Sequence, residues 1–271
     1  MSAVRRAVPK LLVAGLAACP AILLGPASAA DDAGRVDEVL QELFLGEPAY
    51  PQDALELQVT SVLGGAQTGD TTTAGARLRV ELGLTDRFQI AAEAPYAWVS
   101  APPPMARRTG VGSAELEAMY TPLNDRRLGA AVSAGLELAF PSVSAAGKDS
   151  WSVEAFATAY KVLGRVHANL TVSAALALPT AARAEHERSL DAAVGVFTPL
   201  GAWVPVLELA ASSSADPSAV LSAGTLWHPT DDLELGAAVQ LGLDRRSIGG
   251  LVVATMEIPL AHAPAHRRPH E

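Results

Sequence analysis

The chemistry available in this sequence lies mainly in its carboxylates. Glu56, Glu81, Glu93, Glu115, Glu117, Glu137, Glu154, Asp191, Glu208, Glu234 and Glu257 stand at the polar places of stretches in which every second residue is apolar. In extended chain that spacing gathers them on one face, with Arg77 and Arg79 beside them and His167 and Lys161 less clearly placed. Around a water-filled passage such a surplus of carboxylates raises the local concentration of cations. In a narrow passage the same acids must pair with Arg77 or Arg79 or hold a proton, because unpaired buried charge is costly. A plainer role, hydrating and stiffening a polar wall, stays open beside the cation path.

Other constellations fail their own tests. His262, His266 and His270 recur every fourth residue, but Pro264 and Pro269 preclude the helix that would turn them to one metal, so residues 261–271 read as a disordered tail. His167, His186 and His228 fall at unrelated places, so no Ser–His pair assembles on an outer wall and no enzyme is expected. Gly110-Val111-Gly112 follows Pro102-Pro103-Pro104 and opens a strand, the wrong context for a nucleotide loop. No metal and no cofactor are expected. The formal charge of -9 argues against nucleic acid.

The elements that position the acids are strands. Twelve blocks with period two cover about 54–65, 73–84, 88–99, 111–121, 128–140, 150–161, 165–179, 189–198, 202–213, 218–228, 233–243 and 248–259. Their length suits a tilted strand crossing a bilayer, and the even count suits a single-chain barrel. Tight turns such as Thr85-Asp86-Arg87 and Asn124-Asp125-Arg126-Arg127 follow the even blocks, and mostly longer links follow the odd ones. This sorting predicts an all-β, transmembrane, antiparallel up-and-down barrel over residues 54–260 with both termini periplasmic; broken blocks would leave ten or eight strands. Eight aromatics fall near strand ends on the outward face, as two interface belts would require. Tyr96, Trp98, Phe140 and Trp151 lie at the long-loop ends, and Phe88, Tyr120, Trp203 and Trp227 at the short-turn ends.

Residues 1–29 have the layout of an export signal: Arg5, Arg6 and Lys10, an apolar run from Leu11 to Leu24, then Ala27-Ser28-Ala29. Cutting after Ala29 leaves 242 residues and a charge of -12, since three cations and no acid depart. A competing processing route would lipidate Cys19 within Leu16-Ala17-Ala18-Cys19. Either route exports the chain through the inner membrane of a Gram-negative-type bacterium. Residues 30–53 form a periplasmic segment. Within it Val36, Leu40, Leu43 and Phe44 share a helical face, which predicts a short helix that plugs the periplasmic mouth or lies on the rim as a tail. Arg107, Arg108, Lys148, Arg183, Arg188, Arg245 and Arg246 fall in the long links, where they would meet lipopolysaccharide phosphates or simply keep the loops soluble. Phe156, Tyr160 and Phe197 point inward and suggest an apolar path.

Val80-Glu81-Leu82-Gly83-Leu84-Thr85-Asp86-Arg87-Phe88-Gln89-Ile90, continuing to Ala94-Pro95-Tyr96, resembles the strand, tight turn, strand and Pro-Tyr signature of the outer-membrane barrels assigned to transport in the MetA pathway of phenol degradation. Gly110 to Glu117 resembles that family's Gly-x-Gly-Asp block, with Ser113 in place of the Asp. The resemblance implies an outer-membrane channel or transporter for small aromatic or apolar compounds. The last strand departs from the common aromatic ending of such barrels, closing on Ile258-Pro259. The expected partners are outer-membrane lipid, lipopolysaccharide and a small solute. The competing readings are a non-conducting structural or adhesive barrel and a soluble periplasmic binding barrel.

Overall fold

The computed structural model describes residues 36, 39–102, 107–142, 144, 149–179, 187–214, 217–244 and 246–260. The expected signal segment with Cys19 and the His-bearing tail lie outside the described residues. Thirteen strands form: β1 (Glu56–Thr68), β2 (Thr71–Thr85), β3 (Phe88–Ser100), β4 (Arg108–Val111), β5 (Glu115–Asp125), β6 (Ala130–Ala139), β7 (Ser150–Leu163), β8 (Val166–Pro179), β9 (Glu187–Phe197), β10 (Trp203–Ser212), β11 (Ser218–Thr230), β12 (Leu233–Gly242) and β13 (Ile248–Pro259). All pairs are antiparallel and, apart from β3 with β5, join neighbours in sequence until β1 closes onto β13 from Glu56↔Pro259 to Gln67↔Ile248. Both β4 and β5 pair with β3, so they are two pieces of one position and the barrel has twelve strands. The break between them lies opposite Pro95, which offers no N–H to the ladder and whose ring leaves room only for a glycine: a Cβ on Gly112 would come within 2.8 Å of it.

Five short turns gather at one rim, at 86–87, 126–129, 164–165, 198–202 and 231–232. Three of the hairpins on that rim carry a bulge near the turn, between Gly83 and Thr85, Tyr120 and Leu123, and Trp227 and Thr230. Pro122 and Pro229 sit within two of them, where a missing donor does least harm. The opposite rim holds the longer links, with the two-residue turn 69–70 as the exception.

The alternation seen in the sequence becomes inside and outside. Leu63, Leu78, Leu136, Val194, Val239 and Val252 project outward and remain exposed, while Gln58, Thr60, Arg79, Glu208, Glu234 and Thr255 are buried within the barrel. A closed sheet with an apolar outer band and a polar interior is a transmembrane barrel, because lipid needs apolar side chains and closure leaves no unpaired edge. Trp203 and Trp227 stack across β10 and β11 with ring centres 5.6 Å apart, and Phe140 and Trp151 meet at 5.0 Å near the other rim. Phe88 and Tyr120 are cross-strand partners, and Tyr96 pairs through its hydroxyl with Thr109 at 2.9 Å.

The predicted short helix does not form: no helix occurs among the described residues, and 39–55 run as bends and extended chain. Gly46, Pro48 and Pro51 interrupt the segment, and an isolated helix this short is marginal. Most of its N–H groups bond instead to acceptors on the barrel wall, and that of Leu40 to the Tyr50 hydroxyl within the segment. The apolar residues that suggested a helical face are nonetheless the ones that become buried: Val36, Leu40, Leu43 and Phe44 pack inside the barrel against Phe197, Val204, Val206, Leu226, Ala238 and Val253.

Candidate functional site: a lumen holding its own N-terminal segment

The segment enters and leaves by the short-turn rim. Val36 N donates to Asn124 Oδ1 at 2.8 Å, near the end of β5. At the other end Gln52 N donates to Gln89 Oε1 at 2.9 Å, at the start of β3. Between these anchors the chain folds into the lumen and turns at Phe44–Glu47, level with the middle of β10 and β2. A wall of small residues admits it. A Cβ on Gly224 would lie 2.5 Å from the Phe44 ring, and one on Gly83 would overlap the Asp53 carbonyl.

Two buried carboxylates hold the segment by its backbone. Glu208 accepts hydrogen bonds from the N–H groups of Phe44, Leu45 and Gly46 at 2.8, 3.1 and 3.1 Å. Glu234 accepts from Gln41 N and Glu42 N at 3.0 and 3.1 Å, and its second role is to meet His228 Nε2 at 2.7 Å. Charge-assisted bonds of this kind contribute about 1.5–3 kcal/mol each where the alternative is an unpaired buried group. Carbonyls are matched as well. Glu47 O accepts from Thr158, Asn169 and Thr171, and Ser133 Oγ donates to Ala49 O.

The predicted inward acids all lie on the inner face, ten of them in three groups and Asp191 apart. Glu208, Glu234 and Glu257 are buried on the β10–β13 wall, and Glu56 sits at the rim, where its Oε2 accepts from Asp53 N at 3.2 Å. Around the two arginines, Arg79 makes a bidentate pair with Glu47 at 3.1 Å for both oxygens and also meets Glu117 at 2.8 Å and Glu81 at 3.3 Å. Arg77 lies 3.5 Å from Glu93 and 4.0 Å from Glu42. The third group is a ladder across neighbouring strands, with Glu93 opposite Glu115, Glu117 opposite Glu137 and Glu137 opposite Glu154. Glu115, Glu137 and Glu154 are only partly buried and form no hydrogen bond or ion pair among the described residues. Asp191 accepts from Ser189 at 2.7 Å.

The remaining candidates divide. Phe156, Tyr160 and Phe197 are inward and buried, but Tyr160 and Phe197 pack with Tyr50 and His167 beneath the segment and offer no apolar path. Lys161 Nζ caps the Leu128 carbonyl at 2.6 Å and adds no charge to the lumen. Arg107 lies over the Trp98 ring, 5.2 Å from its centre. No three His, Cys, Asp or Glu side chains converge as a metal site among the described residues. Sequence reasoning missed Glu42, Glu47, Gln41, Tyr50 and Gln52, because the segment carrying them has no strand period. The polar inward residues Gln58, Gln89, Asn169 and Thr171 were the available signal: so many amide and hydroxyl groups on an inner wall need partners.

No family model matches the chain, and no curated relative matches it. Solved structures do. The COG4313 outer membrane channel from Pseudomonas putida F1 superposes with a TM-score of 0.66 at 14% identity, over 80% of this chain and 100% of that one. The KdgM porin in complex with disordered oligogalacturonate gives 0.54 at 9% identity, over 73% and 98%. The NanC porin gives 0.54 at 11%, again over 73% and 98%. At these identities the likeness is one of fold: the barrel is built as outer-membrane channels and porins are built.

Proposed function

We propose that this protein is an outer-membrane channel that passes small solutes, prefers cations, and is held shut at rest by its own N-terminal segment. The observation that carries the reading is the combination of an unpaired carboxylate ladder at Glu115, Glu137 and Glu154 with a lumen segment held by no covalent bond, through hydrogen bonds and ion pairs as well as the apolar packing of Val36, Leu40, Leu43 and Phe44. The polar contacts exchange for water when the segment leaves, which a covalent closure would not allow. The apolar outer band and the similarity in fold to outer-membrane channels support the location. They disfavour a soluble periplasmic barrel, whose outer face would be polar. The similarity in fold to porins and channels also favours transport over catalysis.

The resemblance of residues 80–96 and 110–117 to barrels assigned to phenol degradation would make the solute a small aromatic compound. The acidic lining favours a cationic one, and an aromatic amine satisfies both. The seated segment specifically favours a second reading, a barrel that conducts nothing. One experiment separates them: conductance of the detergent-folded protein in a planar bilayer under a salt gradient, for the chain starting at Ala30 and for one lacking residues 30–50. The channel reading expects brief openings in the first, large steady current in the second, and a cation-selective reversal potential. A folded, segment-free barrel without current would overturn it.

A further inference from the structure

The junction between the segment and the wall carries more negative charge than the protein itself balances. Five carboxylates, Glu42, Glu47, Glu81, Glu93 and Glu117, share two guanidinium groups, Arg77 and Arg79. All but Glu93 and Glu47 have side chains at most 6% exposed, so water does not screen them well. In the same junction lies a small cavity, with room for a group the size of one water molecule, lined by Gln41, Glu47, Tyr50, Gln52, Glu81 and Gln89. Both polar atoms of the Gln41 side chain are buried and make no hydrogen bond within the protein, and neither does Gln52 Oε1. Gln41 itself is 2% exposed. Gln41, Gln52 and Glu81 all line this cavity, and the Gln41 amide, unpartnered at both ends, loses no hydrogen bond by turning its oxygen toward it.

We infer that this cavity is a binding site for a monovalent alkali-metal cation, ligated by the amide oxygens of Gln41 and Gln52 and by the carboxylate of Glu81. Neutral amide oxygens with a shared carboxylate suit a weakly charged, hard ion. A divalent or transition metal would demand a denser set of charged ligands, which the described residues do not bring together. Gln41 and Gln52 belong to the segment and Glu81 to β2, so the ion joins segment to wall and, on the reading above that the segment leaves the lumen, ties the moving part down. Its occupancy therefore favours the seated segment, and it removes part of the charge surplus that would otherwise push Glu42 and Glu47 away from Glu81 and Glu117.

The test is a crystal of the folded chain grown with thallium(I) in place of sodium and potassium. An anomalous peak within ligand distance of the Gln41 and Gln52 side-chain oxygens is the expected result; a water without anomalous signal there overturns the proposal. A second measurement does not depend on crystals or on conduction. The labelling rate of a cysteine placed at Leu45 is compared in potassium chloride and in N-methyl-glucamine chloride of equal ionic strength. Labelling should be about tenfold slower in potassium, and the difference should vanish in Gln41→Leu and in Gln52→Leu. Measurable but equal rates in the two salts for the parent chain would mean that the cavity holds water only, whereas no labelling in either salt would contradict the release of the segment and leave the thallium peak to decide the site.

Discussion

Glu208 is the residue on which the seated state should depend most. Its carboxylate is buried and accepts three backbone N–H groups from Phe44, Leu45 and Gly46. Glu208→Leu keeps much of the volume and removes every acceptor. With the segment seated, three N–H groups are then left without partners in a water-poor interior; with the segment released, water satisfies them. At about 1 kcal/mol for each donor, the low end of the cost of an unmet buried group, the seated state loses about 3 kcal/mol, which is roughly a hundredfold shift toward release. Glu208→Gln keeps one neutral acceptor oxygen and should shift the balance by roughly tenfold. The assay is the thiol-labelling rate of a Leu45→Cys reporter in the folded barrel, read together with open probability in a bilayer. Both should rise in the order wild type, Gln, Leu. Unchanged labelling in Glu208→Leu, with the barrel shown to be folded, would refute the claim that this carboxylate holds the segment.

Other outcomes follow from the same geometry. Glu115→Gln, Glu137→Gln and Glu154→Gln combined should move the reversal potential of the segment-free barrel toward zero, most clearly at low salt, where screening is weakest. Leu136→Arg places a charge on the lipid face and should destabilise folding into bilayers by about 2–4 kcal/mol in a urea titration, whereas Gln240→Arg on the inner face should cost far less. Gly236→Ala puts a Cβ 2.5 Å from the ends of Leu226 and Val253 and 3.2 Å from the Phe44 ring. It should lower the melting temperature, and Phe44→Leu should recover part of the loss.

The barrel was legible in the sequence because lipid and lumen impose opposite demands on alternate residues, and eleven acids landed on the inner face as the period required. The turn chemistry identified the short rim because Asn, Asp, Gly and Pro stand where the chain reverses within a few residues. Two features were not legible. The split of the fourth strand depends on Pro95 lying across from Gly112, a pairing that only the closed sheet creates. The path of residues 39–53 depends on long-range partners, since Gln41 and Glu234 are 193 positions apart and Phe44 and Glu208 are 164 apart. Val36, Leu40, Leu43 and Phe44 showed that something apolar would be covered, and the helical spacing misled because the lumen wall supplies the acceptors that a helix would have supplied itself.

If the segment closes the lumen of the inserted barrel, fixing it to the wall must abolish the openings. Gly46 and Ala193 allow a direct test, because a Cβ on Gly46 would lie 3.7 Å from that of Ala193, within the range a disulfide spans. The variant Gly46→Cys with Ala193→Cys, carrying Cys19→Ser if that residue is retained, is recorded in a bilayer before and after reduction. Openings absent while the bond is formed and restored by reductant are the predicted result. Openings that persist with the bond shown to be formed would contradict it.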